Sequence, residues 1–121
     1  MPQALVVDDD PVHREMVAEI LAGHGYDVEQ AGSGEACLAA VRASAPDVLV
    51  LDLLLPGMDG GAVLEELRSA AALARTRVVV MTAVRTGHIR RLLRPDAVLF
   101  KPFGVDELLH AIGAPQDRSR R

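Results

Sequence analysis

Val48-Leu49-Val50-Leu51-Asp52 runs directly into Leu53-Leu54-Leu55-Pro56-Gly57-Met58-Asp59-Gly60. Four apolar residues in a row, two of them β-branched, describe a strand buried on both faces, like a central strand of a parallel sheet. A carboxylate ends it. Pro56, Gly57, Asp59 and Gly60 then impose a loop before a helix can begin. In open α/β sheets, ligands and chemistry gather at the carboxyl ends of the strands, which puts Asp52 where function is expected. An Asp in that place also serves as a helix cap or a solvated loop residue. The other strand ends decide between these readings.

Upstream, Ala4-Leu5-Val6-Val7 is a short buried strand stopped by Asp8-Asp9-Asp10. Pro11 suits the first helical position with Asp10 as N-cap, and Val12, Met16, Val17, Ile20 and Leu21 recur at helical spacing until Gly23 and Gly25. Tyr26-Asp27-Val28-Glu29-Gln30 alternates apolar and polar, as an edge strand does. Ser33 or Gly34 opens a second helix that ends before Pro46, and the Asp52 strand starts at Asp47. Downstream, Ala62 to about Leu73 forms a third helix, Arg77–Met81 a buried strand with Thr82 at its end, and Ile89–Leu93 a short helical piece stopped by Pro95. Ala97–Phe100 is a fifth strand ended by Lys101-Pro102-Phe103, and Val105, Leu108, Leu109 and Ile112 mark a last amphipathic helix before Gly113 and Pro115. Strands alternating with helices make a parallel sheet covered on both faces. Asp8, Asp9, Asp52, Thr82 and Lys101 then converge on one edge.

Bulk properties narrow the class. A chain of 121 residues, half of them apolar, fits one domain with its own core. With Tyr26, Phe100 and Phe103 as the only aromatics, that core is aliphatic. No apolar run approaches the roughly 18 residues that span a bilayer, and from Met1-Pro2-Gln3 no secretory leader is expected. The single cysteine, Cys37, allows neither an internal disulfide nor a thiolate metal cage and reads as a core residue, so a reducing, cytoplasmic setting is expected. A net charge of −4 argues against nucleic-acid binding by the whole domain, and 114–121 reads as a solvated basic tail after a core of 4–113. Lys101 is the one lysine in a chain that otherwise uses arginine, which suggests a site that needs a compact point charge.

Crowded carboxylates repel one another unless a cation joins them. A hard divalent ion such as Mg²⁺ answers this with oxygen ligands and bridges readily to phosphate. A carboxylate beside it can accept a phosphoryl group as an acyl phosphate, whose oxygens then need the metal, an ammonium and hydroxyl or amide donors. His13, His24, His88 and His110 share no site by their spacing and read as surface residues.

Val6-Val7-Asp8-Asp9-Asp10-Pro11, Asp52 through Gly60, Met81-Thr82-Ala83 and Lys101-Pro102-Phe103, in this order and spacing, resemble a response-regulator receiver domain over residues 4 to about 113. The resemblance implies a flavodoxin-like, doubly wound five-stranded parallel sheet in strand order 2-1-3-4-5 with five helices, the fourth short. It implies that Asp52 is phosphorylated by a histidine kinase or phosphotransfer protein. Asp8 and Asp9 would hold Mg²⁺ (or Mn²⁺), Asp9 directly and Asp8 through water, together with Asp52 and the backbone carbonyl of Leu54. Thr82 followed by Ala83 would be the switch segment and Lys101 the phosphate-pairing lysine, with a cis bond before Pro102. Such a protein is a signalling switch rather than an enzyme acting on other substrates. Its kinase would dock near Asp10–Arg14 and the Pro102-Phe103 loop, and its output would go to a partner protein through contact. Neither nucleic acid nor membrane is expected as a partner, the chain is expected to be a monomer or weak dimer, and no output domain is expected within it.

Two departures from the family pattern bear on function. The aromatic ring usual three residues before the lysine is Val98 here, and the Thr82–Lys101 segment is short for a full fourth helix. Both favour a rival: a receiver-like interaction module that works without phosphorylation. Leu54 and Val84, two residues after Asp52 and Thr82, are apolar and cannot orient an attacking water, so slow loss of a phosphoryl group is expected. A remoter rival is a haloacid-dehalogenase-type phosphatase using Asp8 and Asp10, whose Asp-x-Asp-x-Val pattern Asp8–Val12 fits. That reading leaves Asp52 without a task.

Overall fold

The computed structural model describes residues 1–85 and 87–113, so the tail expected over 114–121 lies outside the described residues. Its elements alternate: β1 (Gln3–Val7), α1 (Pro11–Ala22), β2 (Asp27–Ala31), α2 (Gly34–Ala43), β3 (Val48–Asp52), α3 (Gly60–Ser69), β4 (Arg77–Thr82), α4 (His88–Leu93), β5 (Ala97–Phe100) and α5 (Val105–Ile112). The strands are parallel in the order β2-β1-β3-β4-β5. The doubly wound sheet expected from the alternation is therefore present, with the Asp52 strand at its centre and the alternating Asp27–Ala31 strand at an edge. No helix among the described residues is long and apolar enough to cross a membrane.

Residue parity divides the core. Leu5, Val7, Leu49, Leu51, Val78 and Val80 face one side of the sheet with Cys37, Leu38, Val63 and Leu67 of α2 and α3. Ala4, Val6, Val48, Val50, Val79 and Met81 face the other with Val17, Leu21, Leu108 and Ile112 of α1 and α5. Strands buried on both faces cannot carry polar side chains along their length, so polar groups fall at the strand ends.

Helix boundaries follow local chemistry. Asp10 caps α1, its Oδ1 accepting from Val12 N at 3.1 Å, with Pro11 at the first position. Ser33 caps α2 through Ala36 N, and Asp59 caps α3 through Ala62 N. The third helix ends at Ser69, short of the expected Leu73. The amide of Ala72 donates to Leu67 O and that of Ala71 to Arg68 O, with Ala71 at φ 55°. These two bonds around a left-handed residue close the helix early and turn Leu73 into the core. The helix α4 has one turn and a half, and Arg68 of α3 donates to the carbonyls of Leu93 and Arg94 at its C-terminus.

Charge is distributed unevenly along this framework. Between Glu66 and Asp96, the only Asp, Glu, Lys or Arg residues are Arg68, Arg75, Arg77, Arg85, Arg90, Arg91 and Arg94. Before Glu66 the only basic residues are Arg14 and Arg42. The stretch from α3 through α4 is thus cationic in sequence, and the charged residues before it are mainly acidic.

Two glycine–alanine exchanges test the backbone argument, read by urea denaturation. A Cβ on Gly60 would stand 2.5 Å from Asp52 O and 2.7 Å from Leu53 Cα, so Gly60→Ala destabilises the fold by about 1–3 kcal/mol. Ala71→Gly relieves a left-handed alanine and stabilises it by up to about 1 kcal/mol.

Candidate functional site

The carboxyl ends of β1, β3, β4 and β5 bring the expected residues to one edge. Asp8 and Asp52 are buried at 0% and 4% exposure, whereas Asp9 is exposed, and one carboxylate oxygen from each lies within 4.8 Å of the others. Lys101 Nζ, entering from the end of β5, lies 2.8 Å from Asp52 Oδ2 and 3.3 Å from Asp8 Oδ2. The first two carboxylates are thus bridged by one ammonium, and the third faces solvent.

Backbone amides fix the carboxylates. Leu54 N donates to Asp52 Oδ1 at 3.0 Å, and Asp10 N donates to Asp8 Oδ1 at 3.0 Å. Leu54 stands on the loop after β3 and its side chain is 82% exposed. Thr82 is buried, with its Oγ1 accepting from Val84 N at 3.1 Å, and its carbonyl accepts from Lys101 N at 2.8 Å. The Thr82 hydroxyl is therefore turned into its own loop, at the strand end next to Asp52. The loop continues through exposed Ala83 and Val84. The Lys101-Pro102 bond is cis. Asp10, the second aspartate of the phosphatase reading, caps α1 through Oδ1.

Electrostatics separate the two buried carboxylates. Burial pushes Asp52 up, and although the Lys101 ammonium and the Leu54 amide oppose this, its carboxyl stays above the ordinary range, helped by the Asp8 charge. Burial also acts upward on Asp8, but there the Asp10 amide, the His13 ring and Lys101 outweigh it and hold the carboxyl below the ordinary range. Lys101 loses some basicity to burial and regains more from Asp52 and Asp8, ending raised. Asp52 is thus the less compensated and more basic of the pair, the property wanted in a nucleophilic carboxylate.

Sequence reasoning missed two parts of this edge. His13, read above as a surface residue, places Nδ1 2.6 Å from Asp8 Oδ2 with its side chain only 22% exposed. The other three histidines are exposed, as expected. The five-residue offset carries His13 round the first turn of α1 and back over β1, a signal visible only once the cap at Asp10 fixes the helix phase. The second is Phe100. Val98 is half-buried and packs against the α2–α3 core, but Phe100, two residues on along the same face of β5, carries the Arg85 guanidinium 4.7 Å from its ring centre. An aromatic ring thus stands two residues on from Val98 and touches the loop after β4 through Arg85.

The raised Asp52 has a consequence for stability. Its carboxyl holds a proton more tightly in the folded protein than in the unfolded chain, so ionising it opposes folding. That cost is absent below the ordinary value of 3.8 and fully present above the raised one. In metal-free buffer at neutral pH, Asp52→Asn is expected to be more stable than wild type by urea denaturation. The gain disappears as the pH falls to 3.8 and below.

Comparison with known proteins agrees with this geometry. Residues 4–113 match the family described as the response regulator receiver domain. The chain is 36% identical over its whole length to the DNA-binding dual master transcriptional regulator RpaA of a Synechocystis species, covering 52% of that protein. It is 38% identical over 91% of its length to the DNA-binding response regulator MtrA of Mycolicibacterium smegmatis, covering 48% of it. It therefore spans about half the length of the curated relatives it matches. Among solved structures, the chemotaxis protein CheY4 of Vibrio cholerae superposes with a TM-score of 0.84 at 28% identity, over 91% of this chain and 94% of that one. The receiver domain of NarL from Mycobacterium tuberculosis does so with 0.83 at 31% identity, over 98% and 96%. With a family match over nearly all of its sheet and helices, and the acidic strand ends joined by one lysine, the chain belongs to the response regulator receiver domain family of two-component signalling.

Proposed function

We propose that this chain is a phosphoacceptor switch, which takes a phosphoryl group onto Asp52 from a histidine kinase or phosphotransfer protein and signals through protein contact. The observation that carries the reading is the bridge from Lys101 Nζ to both buried carboxylates, with Asp52 the more basic of them. Asp8, Asp9 and Asp52, with the Leu54 carbonyl, would hold Mg²⁺ or Mn²⁺. A cluster of hard oxygen donors within 4.8 Å, one of them solvent-facing, suits such an ion. When bound, it neutralises the cluster and the phosphoryl oxygens.

The remaining steps fall to the chain's own groups. An Asp52 carboxylate oxygen attacks phosphorus in line, forming an acyl phosphate, while the bond to the donor nitrogen breaks and its electron pair leaves with the donor. Lys101 moves from its carboxylate partner to a phosphoryl oxygen without leaving the pocket. Thr82 Oγ1, which accepts from the Val84 amide, turns to donate its own proton to another such oxygen, drawing the Ala83–Arg85 loop with it. Leu54 and Val84, 82% and 63% exposed, stand on the two loops that flank this site. Neither offers a hydrogen-bonding side chain to an incoming water, so the acyl phosphate persists.

Val98 and the one-and-a-half-turn α4 favour the second reading, a module that binds its partner whether or not Asp52 is phosphorylated. Acetyl phosphate with Mg²⁺, followed by intact mass, separates the two. Wild type is expected to gain one phosphoryl group and Asp52→Asn none. No gain in either favours the module. Gain in both removes Asp52 as the acceptor. In the same experiment the phosphorylated form is expected to outlast a minute at neutral pH, and Leu54→Asn to shorten its life by about tenfold. Loss within seconds in the wild type rejects the apolar-wall argument.

A further inference from the structure

Asp8 is held from three directions. Asp10 N donates to Oδ1 at 3.0 Å, while Oδ2 accepts from both His13 Nδ1 at 2.6 Å and Lys101 Nζ at 3.3 Å. The shortest of the three contacts comes from a residue with no part in the phosphoryl-transfer reading. The His13 ring is itself fixed on a second side: it stands edge-on to Phe103, with centroids 5.5 Å apart and planes at 76°. It therefore joins the end of β1 to the loop after β5, through the first turn of α1. An ionised Asp8 can only accept, so the hydrogen in this contact belongs to Nδ1.

We propose that His13 is a positioning residue for the divalent-cation site, fixing Asp8 Oδ2 and leaving Lys101 to Asp52. The proposal rests on the reading of Asp8, Asp9 and Asp52 as that site. Carboxylates that hold metals are themselves held by hydrogen bonds, because a ligand free to rotate must be ordered when the ion binds. Asp8 has such a hold on both oxygens, and only His13 supplies it to Oδ2 without adding a competing ammonium. Remove the ring, and the buried Oδ2 is left with Lys101 as its one donor. A buried acceptor draws in whatever donor remains. Lys101 would then shift from Asp52, its nearer partner, toward Asp8. An ammonium there stands against a divalent cation seeking the same oxygens.

His13→Leu keeps the volume against Phe103 and removes the donor. His13→Asn puts an amide NH₂ near the place of Nδ1, and His13→Gln carries it beyond that place toward Nε2. Binding of Mn²⁺ is read from the electron paramagnetic resonance of the free ion, with no phosphoryl donor present, on proteins whose cooperative unfolding has been verified. His13→Leu is expected to weaken Mn²⁺ binding by about tenfold, and Asn to recover most of that loss while Gln does not. Should Leu fail to fold, the Asn–Gln contrast alone decides. Equal affinity in wild type and Leu, or equal loss in Asn and Gln, overturns the proposal and leaves the cation site standing. Absence of Mn²⁺ binding in the wild type overturns both.

Discussion

Lys101 Nζ lies between two buried carboxylates from adjacent strands, 2.8 Å from Asp52 and 3.3 Å from Asp8, and the upper edge of the sheet is arranged around that ammonium. The three central strands are apolar on both faces and hold nothing polar along their length. Every charge the edge needs must therefore arrive at a strand end, where chains leave the sheet and amides become available. Two aspartates in so dry a place would repel each other strongly. One cation satisfies both, and the amides of Asp10 and Leu54 take the remaining oxygens. A lysine does this where an arginine would not, because a compact ammonium can sit between two acceptors and move from one to the other.

The sheet itself was legible from the apolar runs and their terminal polar residues. Val48–Leu51 and Val78–Met81 are too short and too apolar for anything but buried strands, and Gly, Pro and Asp mark each exit. The strand-end set of Asp8, Asp9, Asp52, Thr82 and Lys101 followed from the alternation alone, and all five stand on one edge. The end of α3 was not legible in the same way. Ala70-Ala71-Ala72-Leu73 has high helix propensity, yet the chain turns at Ala71 so that Leu73 can reach the core and β4 can begin in register.

His13 and Phe100 were missed for a related reason: each depends on a partner far away or out of phase. Whether a histidine in the first turn of α1 faces water or Asp8 is decided by a few tens of degrees of helix rotation, which Asp10 sets through its cap. Phe100 could be placed on its strand face by counting. The Arg85 guanidinium above it comes from a loop whose path no periodicity describes. Local chemistry predicts where a chain stops being regular. It does not predict what the irregular part touches.

The uneven distribution of charge has a consequence beyond any single contact. With seven arginines and no carboxylate between residues 67 and 95, the stretch from α3 through α4 is a cationic segment in a chain of net charge −4. Such a body feels a torque as well as a force in the field of a charged partner, and turns during its approach rather than after collision. An anionic surface is thus drawn toward that segment. Rising ionic strength erodes that bias over distances of a Debye length, about 8 Å under physiological conditions.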